Sequence, residues 1–177
     1  MVKKISIFFA YTIFFLLALM YFTPKESIYF SFEEKLKQVD VVISSEQVKD
    51  SGFILNITDA DIYFKSISTA KINKTSITIF AFYNSVSLKG ITLSSTAKSF
   101  APLNVESAKV VYSIFNPLNA SIEAVGEFGE LEGEFNIVES SLHLELKPSQ
   151  KMLKNYQSSL RKLSKTENGE YVYDKTF

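Results

Sequence analysis

Glu130-Leu131-Glu132-Gly133-Glu134-Phe135-Asn136-Ile137, with its return Ser141-Leu142-His143-Leu144-Glu145-Leu146-Lys147, is the stretch whose reading decides the fold. Leu131, Gly133, Phe135 and Ile137 alternate with glutamates and Asn136; Leu142, Leu144 and Leu146 alternate with Ser141, His143, Glu145 and Lys147. A period of two puts every second side chain on the same side of a strand. One side is apolar and the other charged, the pattern of an antiparallel hairpin with one wet face, and Glu139-Ser140 is its turn. Gly133, the one inward position without a side chain, marks a twist or a close backbone approach.

The same period runs upstream. Val41 and Ile43, then Leu55 and Ile57, then Ile77 and Ile79, then Val110 and Tyr112 each alternate with the residues between them. Val86 and Leu88 are out of phase with Ile91 and Leu93, and Gly90 between them reads as a bulge that re-aims the strand. Short alternating runs rich in β-formers, broken by turn residues, predict an antiparallel β domain over 39–147, built as a curved or sandwich-like sheet. Segments 75–83 and 108–115 carry apolar residues on both faces, among them Phe80, Phe82, Val111 and Phe115. A sheet with one buried face needs only one apolar side, so these four form an expected covered surface. A second layer, the C-terminal helix, a protein partner or lipid would cover it.

Helical spacing flanks the β region. Beyond Pro148, Ser149 can cap a C-terminal amphipathic helix within 148–165, with Met152, Leu153, Tyr156, Leu160 and Leu163 in one stripe. Residues 166–177 lack a sustained period and read as a flexible tail, with Tyr171-Val172-Tyr173 as the alternative of a short edge strand. Upstream, 23–38 predicts a juxtamembrane amphipathic helix: Thr23 caps it, Pro24 opens it and Glu26 completes a capping box. Its stripe of Ile28, Phe32, Leu36 and Val39 is expected to pack on the sheet, with a helix lying flat on a membrane as the alternative. Every Asp, Glu, Lys or Arg from Glu123 to Glu145 is acidic and every one from Lys147 to Lys165 is basic, as expected for a basic helix folded beside an acidic sheet.

Ile5 to Phe22 contains no charged residue and follows Lys3 and Lys4. At about 1.5 Å of rise per residue this run nearly crosses a hydrocarbon core of about 30 Å. A transmembrane anchor over 5–22 is the preferred reading, with residues 1–4 as a cytoplasmic tip and the bulk of the chain on the far side. A cleaved signal peptide is the main alternative, but Leu19, Met20, Tyr21 and Phe22 make a bulky exit from the apolar run. A buried core helix is the third reading.

Candidate chemistry is sparse. The chain of 177 residues has zero formal net charge and no cysteine, which leaves no thiolate nucleophile, no sulfur-ligated metal and no global field for nucleic acid. The single histidine, His143, lies on the polar face of the hairpin without a nucleophile motif. Asp59-Ala60-Asp61 offers too few ligands for a calcium loop and reads as a turn. No cofactor, metal site or catalytic residue is expected, and the protein reads as a non-enzyme that does not bind nucleic acid.

The run Phe128-Gly129-Glu130-Leu131-Glu132-Gly133-Glu134-Phe135, followed by Leu142-His143-Leu144-Glu145-Leu146-Lys147-Pro148-Ser149, resembles type II secretion system protein N. The resemblance implies an accessory or assembly role beside secretion or pilus-like subunits, at a bacterial inner membrane with the β domain in the periplasm. The β architecture is also similar to AsmA-like proteins, which implies a groove for lipid as an alternative. A tethered structural module without ligand is the third.

Overall fold

The computed structural model describes residues 2–177. Two helices come first: α1 (Val2–Phe22) and α2 (Lys25–Lys37). The strands β1 (Val41–Ser44), β2 (Gln47–Asp50), β3 (Leu55–Phe64), β4 (Ile67–Phe80), β5 (Tyr83–Leu93) and β6 (Asn104–Ser113) follow. Then come β7 (Asn119–Gly126), β8 (Gly129–Asn136), β9 (Ser141–Pro148), α3 (Gln150–Asn155), α4 (Gln157–Leu160), β10 (Ser164–Lys165) and β11 (Tyr171–Thr176). The mainly β, antiparallel expectation holds, and all strands belong to one open sheet ordered β1-β3-β4-β5-β6-β7-β8-β9-β11-β10, with β2 also on β3. No second sheet faces it among the described residues.

Register defines the faces. Leu55, Ile77, Val86, Val110, Ile122, Gly133, Leu144 and Tyr173 pair in one row across eight strands. The next row on that side is Ile57, Thr75, Leu88, Ala108, Ala124, Leu131, Leu146 and Tyr171. Directly paired residues share a face, so this face is apolar from end to end. The opposite face carries Ser76, Ser87, Lys109, Glu123, Glu132 and Glu145 in register.

A crease crosses the sheet. Ile57 and Ala60 are three residues apart yet both belong to one buried cluster, and Ile72 packs against that cluster while Thr75 pairs with Ile57. The phase of alternation therefore reverses in β3 and β4. Asp59 takes a left-handed conformation at φ 57° and Gly90 does so at φ 63°, and the β6–β7 register shifts between Val105 and Ser107. Gly90 is one point of this line, but the register runs unbroken through it, from Lys74↔Lys89 to Ile72↔Ile91, so a left-handed kink and not the expected bulge re-aims the strand. Asp59-Ala60-Asp61 lies inside β3 rather than in a turn.

Buried residues gather at the two ends. Tyr29 of α2 joins Leu55, Ile57 and Ala60 over β3; Met152, Tyr156 and Leu160 join Leu146 over β9. The C-terminal helix is broken in two at Tyr156 (φ −127°), and Ser149 caps its first part by accepting from the Met152 amide at 3.1 Å. Residues 166–177 are not a flexible tail: β11 pairs along the whole of Tyr171–Thr176 with β9.

The juxtamembrane helix is turned over relative to expectation. Lys25, Tyr29 and Glu33 are its buried residues, while Ile28 and Phe32 are exposed. The capping box does not form: the Thr23 hydroxyl donates to the Leu19 carbonyl, and Glu26 instead accepts from the Asp50 amide at 3.3 Å. The first turn of α2 thus meets Asp50. Its far end leads to Asp40, whose carbonyl accepts from the Lys65 amide at the opposite edge of the sheet. The helix runs along the strand direction.

Candidate functional site

The apolar face is covered only at its ends. α2 lies over β1 to β3, and α3 with α4 lie over the β8–β9–β11 end, so no helix covers the centre of β4 to β7 among the described residues. Val86 is 37% exposed and Val110 41%, both in the middle of the first apolar row. Ile77, Leu88, Tyr112 and Ile122 around them are half-buried. These side chains make an apolar strip open to solvent between two helical caps. The C-terminal helix reaches the β5–β6 connection, where the Ser159 hydroxyl donates to the Phe100 carbonyl at 2.6 Å, but it leaves Val86 and Val110 exposed.

The four residues expected to form a covered surface are divided by the structure. Phe80 and Val111 belong to the face opposite the apolar rows, since they pair with Tyr83 and with Ser85 and Ser121. Phe82 is in the β4–β5 turn, where it meets Phe80 edge-on at 5.2 Å, and Phe115 is in the β6–β7 turn with 90% exposure. Phe80 and Val111 lie within β4 and β6 on the face that alternation gives them; alternation put Phe82 and Phe115 on that face because it continued the strands past their ends. The exposed residues Val86 and Val110 were visible as alternating valines, but nothing local marked them as uncovered.

α1 is long and apolar enough to cross a membrane, from Lys3 to Phe22, and none of that window is buried. Lys3, Lys4 and Ile5 lie in its first turns, and Phe22 closes it with 78% exposure. Its far end is fastened to the β domain. The Lys25 side chain has no exposure, and its Nζ donates to the carbonyls of Met20 (2.7 Å), Thr23 (3.2 Å) and Gly52 (2.5 Å). The Tyr21 ring meets Phe53 edge-on at 5.4 Å and fills the space above Gly52, where a Cβ would collide with it. The sequence gives no local sign of this clamp, because its acceptors are backbone atoms from distant segments.

On the polar face, His143 is held between two carboxylates: Nδ1 is 2.6 Å from Asp174 and Nε2 is 3.2 Å from Glu145. Both ring nitrogens are engaged, so neither is placed to take a proton from a nucleophile. Asp174 was missed in sequence because it belongs to the segment read as a tail. The Asp174 hydrogen bond first, and the Glu145 bond second, hold the His143 pKa above its ordinary value of 6.5. The folded state then binds more protons than the unfolded one between those two pKa values. Stability from this cluster is fully present below about pH 6.5 and is lost as pH rises through the folded pKa. The side chain is 49% exposed, so solvent screening holds the gain to a few tenths of a kcal/mol, about the value of an exposed pair. An NMR titration should place the imidazole above 6.5 and bring it down in Asp174→Asn. An unmoved titration in that variant would rule out the Asp174 bond as its cause.

Among the described residues, no group of three or more His, Asp or Glu side chains is placed to hold a metal ion. Glu123, Glu132 and Glu145 lie side by side in register, where like charges repel, and solvent on the polar face relieves them. No family model, curated protein or solved structure matches the chain.

Proposed function

We propose that the protein is a membrane-tethered, non-catalytic β module that holds lipid acyl chains on the uncovered centre of its apolar sheet face. The observation that carries this reading is the exposure of Val86 and Val110 in a row that α2 seals at Leu55, while α3 and α4 cover the neighbouring row at Leu131, Leu146 and Tyr171 and leave the far end of this one open at Tyr173. A strip of this kind offers an acyl chain contact with several strands at once, and burial of each methylene contributes about 0.8 kcal/mol. The tether supplies the ligand source: α1 is a membrane anchor, with Lys3 and Lys4 on the cytoplasmic side and the β domain in the periplasm of a bacterial inner membrane.

A second reading is favoured by the resemblance of the β8–β9 hairpin to type II secretion system protein N. There the open face receives a secretion-system or pilus-like subunit. One experiment separates the two. A photo-crosslinking amino acid at Val86 of the full chain, irradiated in native membranes, should give adducts of lipid mass, and Val110→Glu should reduce them about tenfold or more by placing an unpaired charge in the strip. Adducts of protein mass would favour the secretion reading. Absence of any adduct at Val86 would reject both.

A further inference from the structure

The strand ends on the two edges of the sheet differ in chemistry. At the edge where β3 begins and β4 ends, the connections are 51–54, 81–82, 114–118 and 137–140. Glu139 is the only charged residue in them. Their exposed members include Phe53, Ile54, Phe82, Phe115, Leu118 and Val138, with exposures from 39% to 90%. The connections at the other edge, 65–66, 94–103, 127–128 and 166–170, carry Lys65, Lys98, Glu127, Glu167 and Glu170. Lysines lie by aromatic rings at both edges: Lys65 is 5.5 Å from the Phe64 centroid and Lys162 6.0 Å from that of Phe100 at this one, and Lys175 is 4.6 Å from that of Phe177 beside the 137–140 connection at the first.

The uncharged edge is also where α1 ends. Tyr21 meets Phe53, and Lys25 ties Met20 to Gly52. From there α2 runs away along the strands toward Asp40 and Lys65 at the charged edge. From Phe53 to Val138 the edge passes β3 through β9, six strand intervals at about 4.8 Å each, or roughly 29 Å. An apolar margin of that length, continuous with a membrane-length helix and nearly free of charge, has the composition of an interfacial membrane contact.

We infer that this edge is a second membrane-binding surface: the tips carrying Phe53, Phe82, Phe115, Leu118 and Val138 rest in the headgroup and upper acyl region of the bilayer that holds α1. The occupant is a lipid surface, because the helix that would enter the bilayer emerges beside the first tip. The apolar face of the sheet then opens at the bilayer, and a chain could pass onto it without crossing water. The inference rests on α1 being a membrane span.

The chain has no cysteine, so single spin labels can be introduced without background. Full-length protein carrying Phe115→Cys, Val138→Cys, Lys65→Cys, Asn168→Cys or Tyr11→Cys would be reconstituted at high lipid ratio in vesicles of phosphatidylethanolamine and phosphatidylglycerol. Labels at 115 and 138 should be more accessible to oxygen than to a water-soluble nickel reagent, and labels at 65 and 168 should show the reverse. Labels at 115 and 138 as water-accessible as those at 65 and 168 would overturn the inference. Labels there shielded from both reagents, as under a second copy or another protein surface, would overturn it too. The label at 11 reports α1 separately: if it is deep while 115 is wet, the anchor stands and the edge contact fails. If 11 is wet as well, the anchor reading and the inference fall together.

Discussion

Lys25→Met should loosen the joint between α1 and the β domain and remove about 3 kcal/mol of stability from the end of the sheet around β2 and β3. The Lys25 ammonium has three N–H donors, and the three carbonyls of Met20, Thr23 and Gly52 take them all. It also places a positive charge at the C-terminal end of α1, where unpaired carbonyls concentrate the negative end of the helix dipole. Methionine fills a similar volume but donates nothing, so the carbonyls are left in a site closed to water. Hydrogen bonds to a charged group are worth about 1.5–3 kcal/mol each, and orphaned buried acceptors add to the loss. Against a total stability of about 5–15 kcal/mol for a domain, this is a large fraction. Limited proteolysis of the full chain in detergent should show faster cleavage between Thr23 and Phe53, together with a lowered melting temperature. Arginine should not rescue, because its planar fork is larger and aims its donors differently. A Lys25→Met protein with wild-type melting and wild-type protection would show that the clamp contributes nothing.

What the chain discloses in advance follows from how local each signal is. The β8–β9 hairpin is legible because its alternation is strict and its turn short; its pairing from Gly129↔Pro148 to Asn136↔Ser141 follows the written pattern. Gly90 is legible because a glycine coincides with a phase change in the apolar residues. The same phase change at Asp59 is hidden, since Ala60 is small and Asp59 can adopt a left-handed conformation without a glycine. Burial of Lys25, Tyr29 and Glu33 in α2 opposes the residues' ordinary preferences, and it follows from partners on other elements. Tyr29 lies over Leu55 and Ile57, and its hydroxyl donates to Glu46. Burial, followed by the charge of Glu46 and Glu33, raises the Tyr29 pKa, so the phenol stays protonated and the helix can bury it. The pairing of β11 with β9 is equally non-local: Tyr171-Val172-Tyr173 are good β-formers, but their partner lies across two short helices. The uncovered strip depends on what does not lie over it, and alternation alone carries no record of cover.

Gly129→Ala should be the most damaging single-methyl addition in the C-terminal half, with a loss of about 3 kcal/mol or more. Gly129 sits at φ 121°, a conformation that L side chains rarely adopt, and a Cβ there would collide with the Lys147 carbonyl and press on the Ser149 amide. A strained backbone position of this kind costs about 1–3 kcal/mol and forced overpacking a similar amount. The damage would spread because the turn before Gly129 holds the start of α3. The Ser149 amide donates to the Phe128 carbonyl at 2.8 Å, the Ser149 hydroxyl donates to the Glu127 carbonyl, and Lys151 pairs with Glu127 at 2.7 Å. Leu131 and Phe128 pack against the Leu146–Met152–Tyr156–Leu160 cluster. Gly133 is constrained in a related way, since a Cβ there would meet the His143 carbonyl. The glycine-leucine-glycine spacing of 129, 131 and 133 is therefore explained by close backbone approach and by packing under the helices. Gly169→Ala is the matched control: Gly169 has φ 84° but nothing within 4 Å of its Cβ position, so only the backbone term remains, about 1 kcal/mol. Denaturant unfolding should rank the two variants clearly apart, and hydrogen exchange should show the Met152 amide losing protection in Gly129→Ala alone. Equal destabilisation by the two would mean that the turn does not hold the helical cap, and that the sealing of this end of the sheet has another cause.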